Sequence, residues 1–201
     1  MLEAQPQRAL GRLRLMESGT ETGILKLSLE NMSTRHTGLT YFSAGCYLEA
    51  ARVCLDRHHT SPTDFLFEND QEEGVTVVEW ETTDDRTRGA FNNNDEATRD
   101  GAYVFALAAL EMLSGLVAIR RAENLTGADY YVAPIGKYTE DLEGCWRLEV
   151  KGTDQSKARM RSKLKEAIIQ LLNGESDLPA IAAVIGFKEK LIILKTVEET
   201  I

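Results

Sequence analysis

The sequence is poor in cysteine and proline, with three and four of these residues among 201. Cys46, Cys54 and Cys145 are odd in number and contain no C-x-x-C spacing. This pattern argues against a disulfide framework and against a cysteine-ligated zinc site. We therefore expect three reduced thiols, most of them buried.

Long apolar runs are also missing. No run approaches the roughly 18 residues of a membrane span, and residues 1 to 19 contain no apolar core of a signal peptide. The chain has no G-x-x-x-x-G-K loop for binding nucleotide phosphates. We expect a cytoplasmic protein that does not associate with membranes.

Positive charge is scarce over the whole chain, whose net charge is −9 and whose pI is near 5.0. Such a protein repels polyanions overall, and sequence-independent DNA affinity comes mainly from neutralising phosphates. The remaining composition, 43% hydrophobic and 27% charged, is typical of a soluble globular protein with a sizeable core.

Two adjacent strands are predicted at residues 129–134 and 145–153, joined by a polar loop that contains two glycines. Because successive strand residues point to opposite faces, Arg147, Glu149 and Lys151 share one face, and Leu148 and Val150 share the other. The apolar face is expected to join the core.

The charged face has two interpretations. Asp129 and Glu149 could supply oxygen ligands for Mg²⁺, and Lys151 could orient an attacking water. Two neighbouring carboxylates without a metal repel each other, so one is driven towards its protonated form. Alternatively, Glu149 and Lys151 form an ordinary ion pair on a solvated face.

Flanking segments predict the order of elements around this pair. A buried helix is expected from about residue 98 to 114, with Thr98 or Asp100 as its cap and Gly115 as its stop. Glu111 is the one carboxylate in its apolar part, and a buried carboxylate needs a partner or a metal. A strand at 116–123 follows it, and a second helix of about 19 residues ends at Gly174. Two more strands are predicted at 180–187 and 190–198.

In this order of elements and in these residues, the sequence resembles the PD-(D/E)XK, or restriction-endonuclease-like, nuclease superfamily. The resemblance covers roughly residues 98 to 200. It implies an α/β fold with a mixed central sheet flanked by helices and an αβββαβ core. It also implies that Asp129 and Glu149 bind Mg²⁺ or Mn²⁺, that Glu111 completes the metal site, and that Lys151 assists the nucleophile. Gln155 matches a position that is polar in several branches.

The resemblance implies a nuclease that hydrolyses phosphodiester bonds in nucleic acid, and we expect DNA rather than RNA as the substrate, in restriction, phage defence or repair. Ala128 stands where the family's name-giving proline would be. Two readings from other classes remain open. The chain could be a non-catalytic interaction or structural subunit that keeps this fold, or a regulatory module that binds a small ligand.

Residues 1–97 are predicted to form an N-terminal α+β extension or subdomain, and residues 98–201 the nuclease-like core. The extension is predicted to follow a β-α-β-β order, with a strand within 21–32, a helix at 41–59, a short apolar run within 61–70 and a strand at 73–83. Residues 82–101 are the most polar stretch and predict a loop between the two parts.

A local basic stripe stands out on this acidic chain. Lys157, Arg161 and Lys165 are four residues apart, so they line one face of the second predicted helix. The stripe fits a contact with nucleic-acid phosphates or an ordinary solvated helix face. Since the rest of the chain is acidic, we expect a homodimer or a subunit of a larger complex.

Overall fold

The computed structural model describes residues 25–137 and 142–198. In these ranges the chain forms five helices and eight strands, in the order β1 (Lys26–Leu27), α1 (Met32–Arg35), α2 (Tyr41–Asp56), β2 (Thr63–Glu68), β3 (Glu73–Val78), α3 (Asp85–Ala90), α4 (Asn94–Ser114), β4 (Leu116–Arg121), β5 (Tyr130–Pro134), β6 (Trp146–Thr153), α5 (Lys157–Leu172), β7 (Ala180–Gly186) and β8 (Leu191–Val197).

The eight strands form one sheet, in the order β1-β3-β2-β8-β7-β6-β5-β4. β4, β5 and β6 form an antiparallel meander, whereas β6 and β7 run parallel and are connected by α5. The predicted α/β class with a mixed sheet is therefore confirmed. The succession α4-β4-β5-β6-α5-β7 follows the order expected from the sequence.

Helix α4 occupies the centre of the molecule. Every residue from 101 to 110 is buried, because the sheet covers one side of the helix and α2 covers another. A Cβ atom added to Gly101 would lie 2.8 Å from the Cα atom of Ala51, so the glycine allows α2 to pack closely. No helix in the described ranges is both long and apolar enough to cross a membrane.

The ends of α4 are set by local hydrogen bonds. The Asn93 side chain accepts from two backbone N–H groups of the first turn, so the helix begins before the predicted caps Thr98 and Asp100. Both of those residues lie inside the helix. Its end agrees with the prediction: Gly115 adopts the left-handed conformation, with φ 63°, that glycine tolerates best.

Residues of β7 alternate between two helical layers. Ile181, Ala183 and Ile185 belong to the core formed with α4, whereas Ala182 packs with α5. All seven residues of this strand are buried. Helices therefore cover both faces of this part of the sheet.

The N-terminal strands extend the same sheet, since β2 pairs with β8. The boundary expected between residues 97 and 98 falls inside α4. The loop predicted at 82–101 is wrong, because it contains α3 and the start of α4. Asp84 and Asn93 cap these helices through their side chains, and such caps start helices even in polar sequence. Residues 21–24 of the predicted first strand lie outside the described ranges.

The thiols differ in environment. Cys54 and Cys145 are buried, while Cys46 is exposed on α2. Burial raises the pKa of Cys54 to about 12, which keeps this thiol protonated and unreactive at neutral pH.

Candidate active site

The candidate site lies at a notch in the sheet, where β6 continues beyond the start of β5. Tyr130 is the first residue of β5 and pairs with Leu148, whereas the last residues of β6 pair only with β7. Asp129 therefore stands level with Glu149 at the open edge. The Asp129 backbone N–H donates to the Leu148 carbonyl at 2.8 Å, and its Oδ2 accepts from the Val150 N–H at 2.9 Å.

Glu149 is a buried carboxylate with an incomplete set of partners. Its side chain is 3% exposed, and its Oε1 lies 2.6 Å from the Lys151 Nζ. Among the described residues, its buried Oε2 has no hydrogen-bond partner. Burial, together with the negative charge of Asp129, raises the pKa of Glu149 to about 7. The sequence predicts repulsion between the Asp129 and Glu149 carboxylates, and this repulsion contributes to the raised pKa of Glu149.

Lys151 bridges β6 and the last turns of α5. Its Nζ donates to the Gln170 Oε1 at 2.8 Å, in addition to pairing with Glu149. Gln170 was not foreseen from the sequence. It lies in a predicted helix beside the buried Leu171, but only the path of the crossover decides which helical residue meets Lys151.

Asp129 has further neighbours that the sequence did not indicate. The hydroxyl group of Tyr103 on α4 donates to its Oδ1 at 2.8 Å, and an Arg121 nitrogen lies 3.8 Å from the same atom. Burial and the Asp129 charge raise the pKa of Tyr103, so this hydroxyl group remains a donor at neutral pH.

Glu111 does not join these residues. Its Oε2 accepts from Arg35 at 2.6 Å and lies 3.2 Å from the Nε2 of His36. Glu111 is eight residues beyond Tyr103 on α4, roughly 12 Å along the helix axis. Within the described residues, no three or more His, Cys, Asp and Glu side chains are grouped closely enough to hold one ion. The prediction that Glu111 joins Asp129 and Glu149 is therefore wrong, and the structure brings only the last two carboxylates together.

Gln155 also lies apart from the pair, in the exposed turn before α5. Its backbone N–H donates to the Thr153 Oγ1 at 3.1 Å. The basic residues Lys157, Arg161 and Lys165 are exposed on α5, as the spacing predicted. Gln170 lies five residues after Lys165 on the same helix. The three basic residues therefore occupy earlier turns of α5 and a different face of the helix from Gln170.

A cavity of about 440 Å³ opens beside Asp129, and Glu149 and Lys151 do not line it. Its lining includes one arginine, Arg121, and three acidic residues, Glu123, Asp129 and Glu175. Gly127 lies at its base with φ 71°, and a Cβ atom there would be 2.2 Å from the Gln170 carbonyl oxygen. Glycine at this position therefore lets the loop after β4 pack against the end of α5.

The two carboxylates fit a divalent cation such as Mg²⁺ or Mn²⁺. The Glu149 Oε2 is a buried acceptor without a donor, and a carboxylate oxygen carries about two lone pairs. The single hydrogen bonds to each Asp129 oxygen therefore leave acceptor capacity on both. Hard oxygen donors of this kind are preferred by Mg²⁺.

Comparison of the chain with protein-family models, with curated proteins and with solved structures gives no match. The functional interpretation therefore depends on the residues and geometry of this chain.

Proposed function

We propose that the protein is a Mg²⁺-dependent nuclease with a restriction-endonuclease-like core, and that its nucleic-acid substrate is DNA. The observation that carries this proposal is the buried Glu149 carboxylate. It lies beside Asp129, is paired with Lys151, and has one oxygen without a donor. Burying such a charge is costly unless a proton or a cation binds it. The raised pKa of Glu149 corresponds to a proton held beside Asp129, and a divalent cation would replace that proton between the two carboxylates.

The arrangement of elements supports the same proposal. In the resembling superfamily, a helix, three strands, a helix and a fourth strand present the acids and the lysine on neighbouring strands. Here Asp129 precedes β5, while Glu149 and Lys151 lie on β6. The parallel pairing of β6 with β7 through α5 fits that core.

Each side chain then has a role. Asp129 and Glu149 would hold Mg²⁺ or Mn²⁺, which when bound lowers the pKa of water and offsets charge on a phosphodiester. Lys151 donates a hydrogen bond towards the attacking water, and Gln170 restricts the position of its ammonium group. Tyr103 and the Val150 N–H fix the orientation of the Asp129 carboxylate.

The ion pair itself favours one alternative, a non-catalytic subunit that keeps the fold. Lys151 is 2.6 Å from Glu149, as a purely structural pair would be. A structural pair requires no metal, and it would not be disturbed by one. Metal dependence therefore separates the two functions.

The test is cleavage of supercoiled plasmid, single-stranded DNA and RNA in Mg²⁺, Mn²⁺ or EDTA. Wild-type protein is compared with Glu149→Gln and Lys151→Met. Matched controls are Glu166→Gln and Lys188→Met, which alter exposed residues of α5 and of the β7–β8 turn.

We expect metal-dependent cutting by wild type and by both controls, and a loss of at least about 100-fold in both site variants. Circular dichroism and thermal melting verify that the variants are folded. A folded wild-type protein that cuts none of the substrates with either metal contradicts the proposal and favours the non-catalytic subunit.

A further inference from the structure

Strand β4 contains a bulge that reverses the direction of its last side chains. Ala118 pairs with Val132, but Arg120 pairs with Tyr131, so Ile119 is an extra residue in the ladder. Regular alternation would place Arg121 on the face opposite Leu116 and Ala118. The bulge instead brings Arg121 to their face of the sheet, which is also the face of α4. Bulges commonly redirect a side chain next to a functional site.

Two tyrosine rings hold the redirected side chain of Arg121. Its guanidinium carbon lies 5.0 Å from the ring centroid of Tyr103 and 4.6 Å from that of Tyr130. Contact with ring faces fixes the position of a guanidinium group and preserves its charge. The Tyr130 ring is itself fixed, since its hydroxyl group lies 3.0 Å from that of Tyr47.

Arg121 also donates hydrogen bonds to the hydroxyl groups of Tyr103 and Tyr130, and the exposed part of its side chain is open to ligands. Its side chain is 51% exposed and lines the 440 Å³ cavity together with Asp129. The separation of 3.8 Å from the Asp129 Oδ1 is long for a charge-assisted hydrogen bond, which is typically about 2.7–2.9 Å. A planar guanidinium group presents five N–H donors, a geometry that matches the oxygens of phosphate.

We propose that Arg121 is a phosphate-binding residue, whose guanidinium group takes a phosphate monoester or diester in the cavity beside Asp129. The identity of that phosphate as part of the nucleic-acid substrate rests on the proposed function. The phosphate site itself follows from the bulge, the two rings and the cavity.

The neighbouring Arg120 provides a matched control. It is 46% exposed, compared with 51% for Arg121, and its guanidinium carbon lies 5.3 Å from the centroid of the Tyr131 ring. However, Arg120 pairs with Glu123 at 3.0 Å and follows the opposite face of the sheet. The two arginines share their type, exposure and ring contacts, but only Arg121 faces Asp129.

The first experiment measures binding in EDTA, so that cleavage plays no part. A fluorescein-labelled 12-nucleotide single strand is titrated with wild type, Arg121→Gln, Arg121→Lys and Arg120→Gln at several salt concentrations. Inorganic phosphate is added as a competitor in a separate arm. We expect Arg121→Gln to weaken binding about tenfold and to reduce the slope of log K against log salt by about one. Arg121→Lys retains the slope, and Arg120→Gln matches wild type.

Several outcomes decide the proposal. Binding of inorganic phosphate that depends on Arg121, with no oligonucleotide binding, supports the site and assigns it to a free phosphate ligand. Equal affinity and slope for wild type and Arg121→Gln overturn it, and an accompanying fall in melting temperature then assigns Arg121 a structural role. Failure of the folded wild type to bind either probe at low salt also overturns it.

Cleavage assays separate this inference from the proposed function. If wild type cuts and Arg121→Gln cuts at the same rate, the nuclease proposal stands and the phosphate site is lost. If phosphate binding depends on Arg121 but wild type cuts nothing, the phosphate site stands and the nuclease proposal is lost.

Discussion

At the scale of single residues, Glu149 links the stability of the protein to pH. Its pKa rises from 4.5 to about 7 on folding, because burial and Asp129 disfavour the charged form. The folded protein therefore holds this proton more tightly than the unfolded chain does. The contribution of Glu149 to the free energy of unfolding is fully present below about pH 4.5 and is lost as the pH rises through about 7.

The first prediction follows from the direction of this change in stability with pH. In EDTA, Glu149→Gln should be more stable than wild type at pH 8, by up to about 3 kcal/mol, since one pKa unit corresponds to about 1.4 kcal/mol. The difference should shrink towards pH 5. Urea unfolding at both pH values measures it, with Glu166→Gln as the exposed control that shows no such trend. A pH-independent difference between wild type and Glu149→Gln contradicts the prediction.

The second prediction concerns metal. Because a metal ligand must be ionised, Mg²⁺ should raise the melting temperature of wild type more at pH 8 than at pH 6. Glu149→Gln should lose this shift. Glu111→Gln should keep it while lowering the overall stability, because Glu111 pairs with Arg35 and the buried His36. Differential scanning calorimetry measures all three proteins. A Mg²⁺ shift that disappears in Glu111→Gln would restore the three-carboxylate site.

At the scale of elements, the site depends on how closely the loop after β4 approaches α5. Gly127 has φ 71° and has no room for a Cβ atom, which would lie 2.2 Å from the Gln170 carbonyl oxygen. Gly115 shares the positive φ, at 63°, but a Cβ atom there would meet nothing within 4 Å. The two glycines therefore separate the cost of backbone conformation from the cost of a steric clash.

The third prediction compares these glycines. Gly115→Ala should destabilise the fold by about 1 kcal/mol through its left-handed conformation alone. Gly127→Ala should cost more and should reduce cleavage as well, because displacing the end of α5 moves Gln170 away from Lys151. Urea denaturation and the cleavage assay report the two effects. Equal stability losses with unchanged cleavage in Gly127→Ala contradict the coupling between the loop and the site.

Several elements were predictable because their signals are local. The helix stop at Gly115, the strand that carries Glu149 and Lys151, and the crossover helix all follow from glycine placement and apolar periodicity. Helix α3 was not, because its six residues leave no buried side chain to create a pattern. The bulge at Ile119 was not predicted, because nothing in the local sequence pattern marks an extra residue in the strand.

At the scale of the whole molecule, a net charge of −9 must be reconciled with a polyanionic substrate. The exposed basic residues of α5 offer a local contact that long-range repulsion does not remove, because screening limits that repulsion to about 10 Å at 0.1 M salt. A homodimer or a larger complex would add further contacts, which remains a prediction of the sequence.

The fourth prediction tests the basic stripe. Replacing Lys157, Arg161 and Lys165 together by glutamine should weaken DNA binding and reduce the salt slope by up to about three, roughly one per phosphate contact. Cleavage at saturating DNA should be nearly unchanged, because these side chains lie outside the notch. Anisotropy titrations and saturation kinetics measure the two effects. An unchanged salt slope would identify the stripe as a solvated helix face.

The sequence by itself determined the α/β class, the order of the elements from α4 to β7, and the positions of Glu149 and Lys151 on one strand with Asp129 at the start of its neighbour. These features follow from local periodicity and from the alternation of strand side chains. Only the tertiary structure decided which distant residues complete the site. The bulge in β4 places Arg121 beside Asp129, and the packing of α4 on the sheet brings Tyr103 to the same carboxylate. The crossover brings Gln170 to Lys151, and α4 carries Glu111 away to Arg35. Such contacts join residues far apart in sequence, so no local pattern records them.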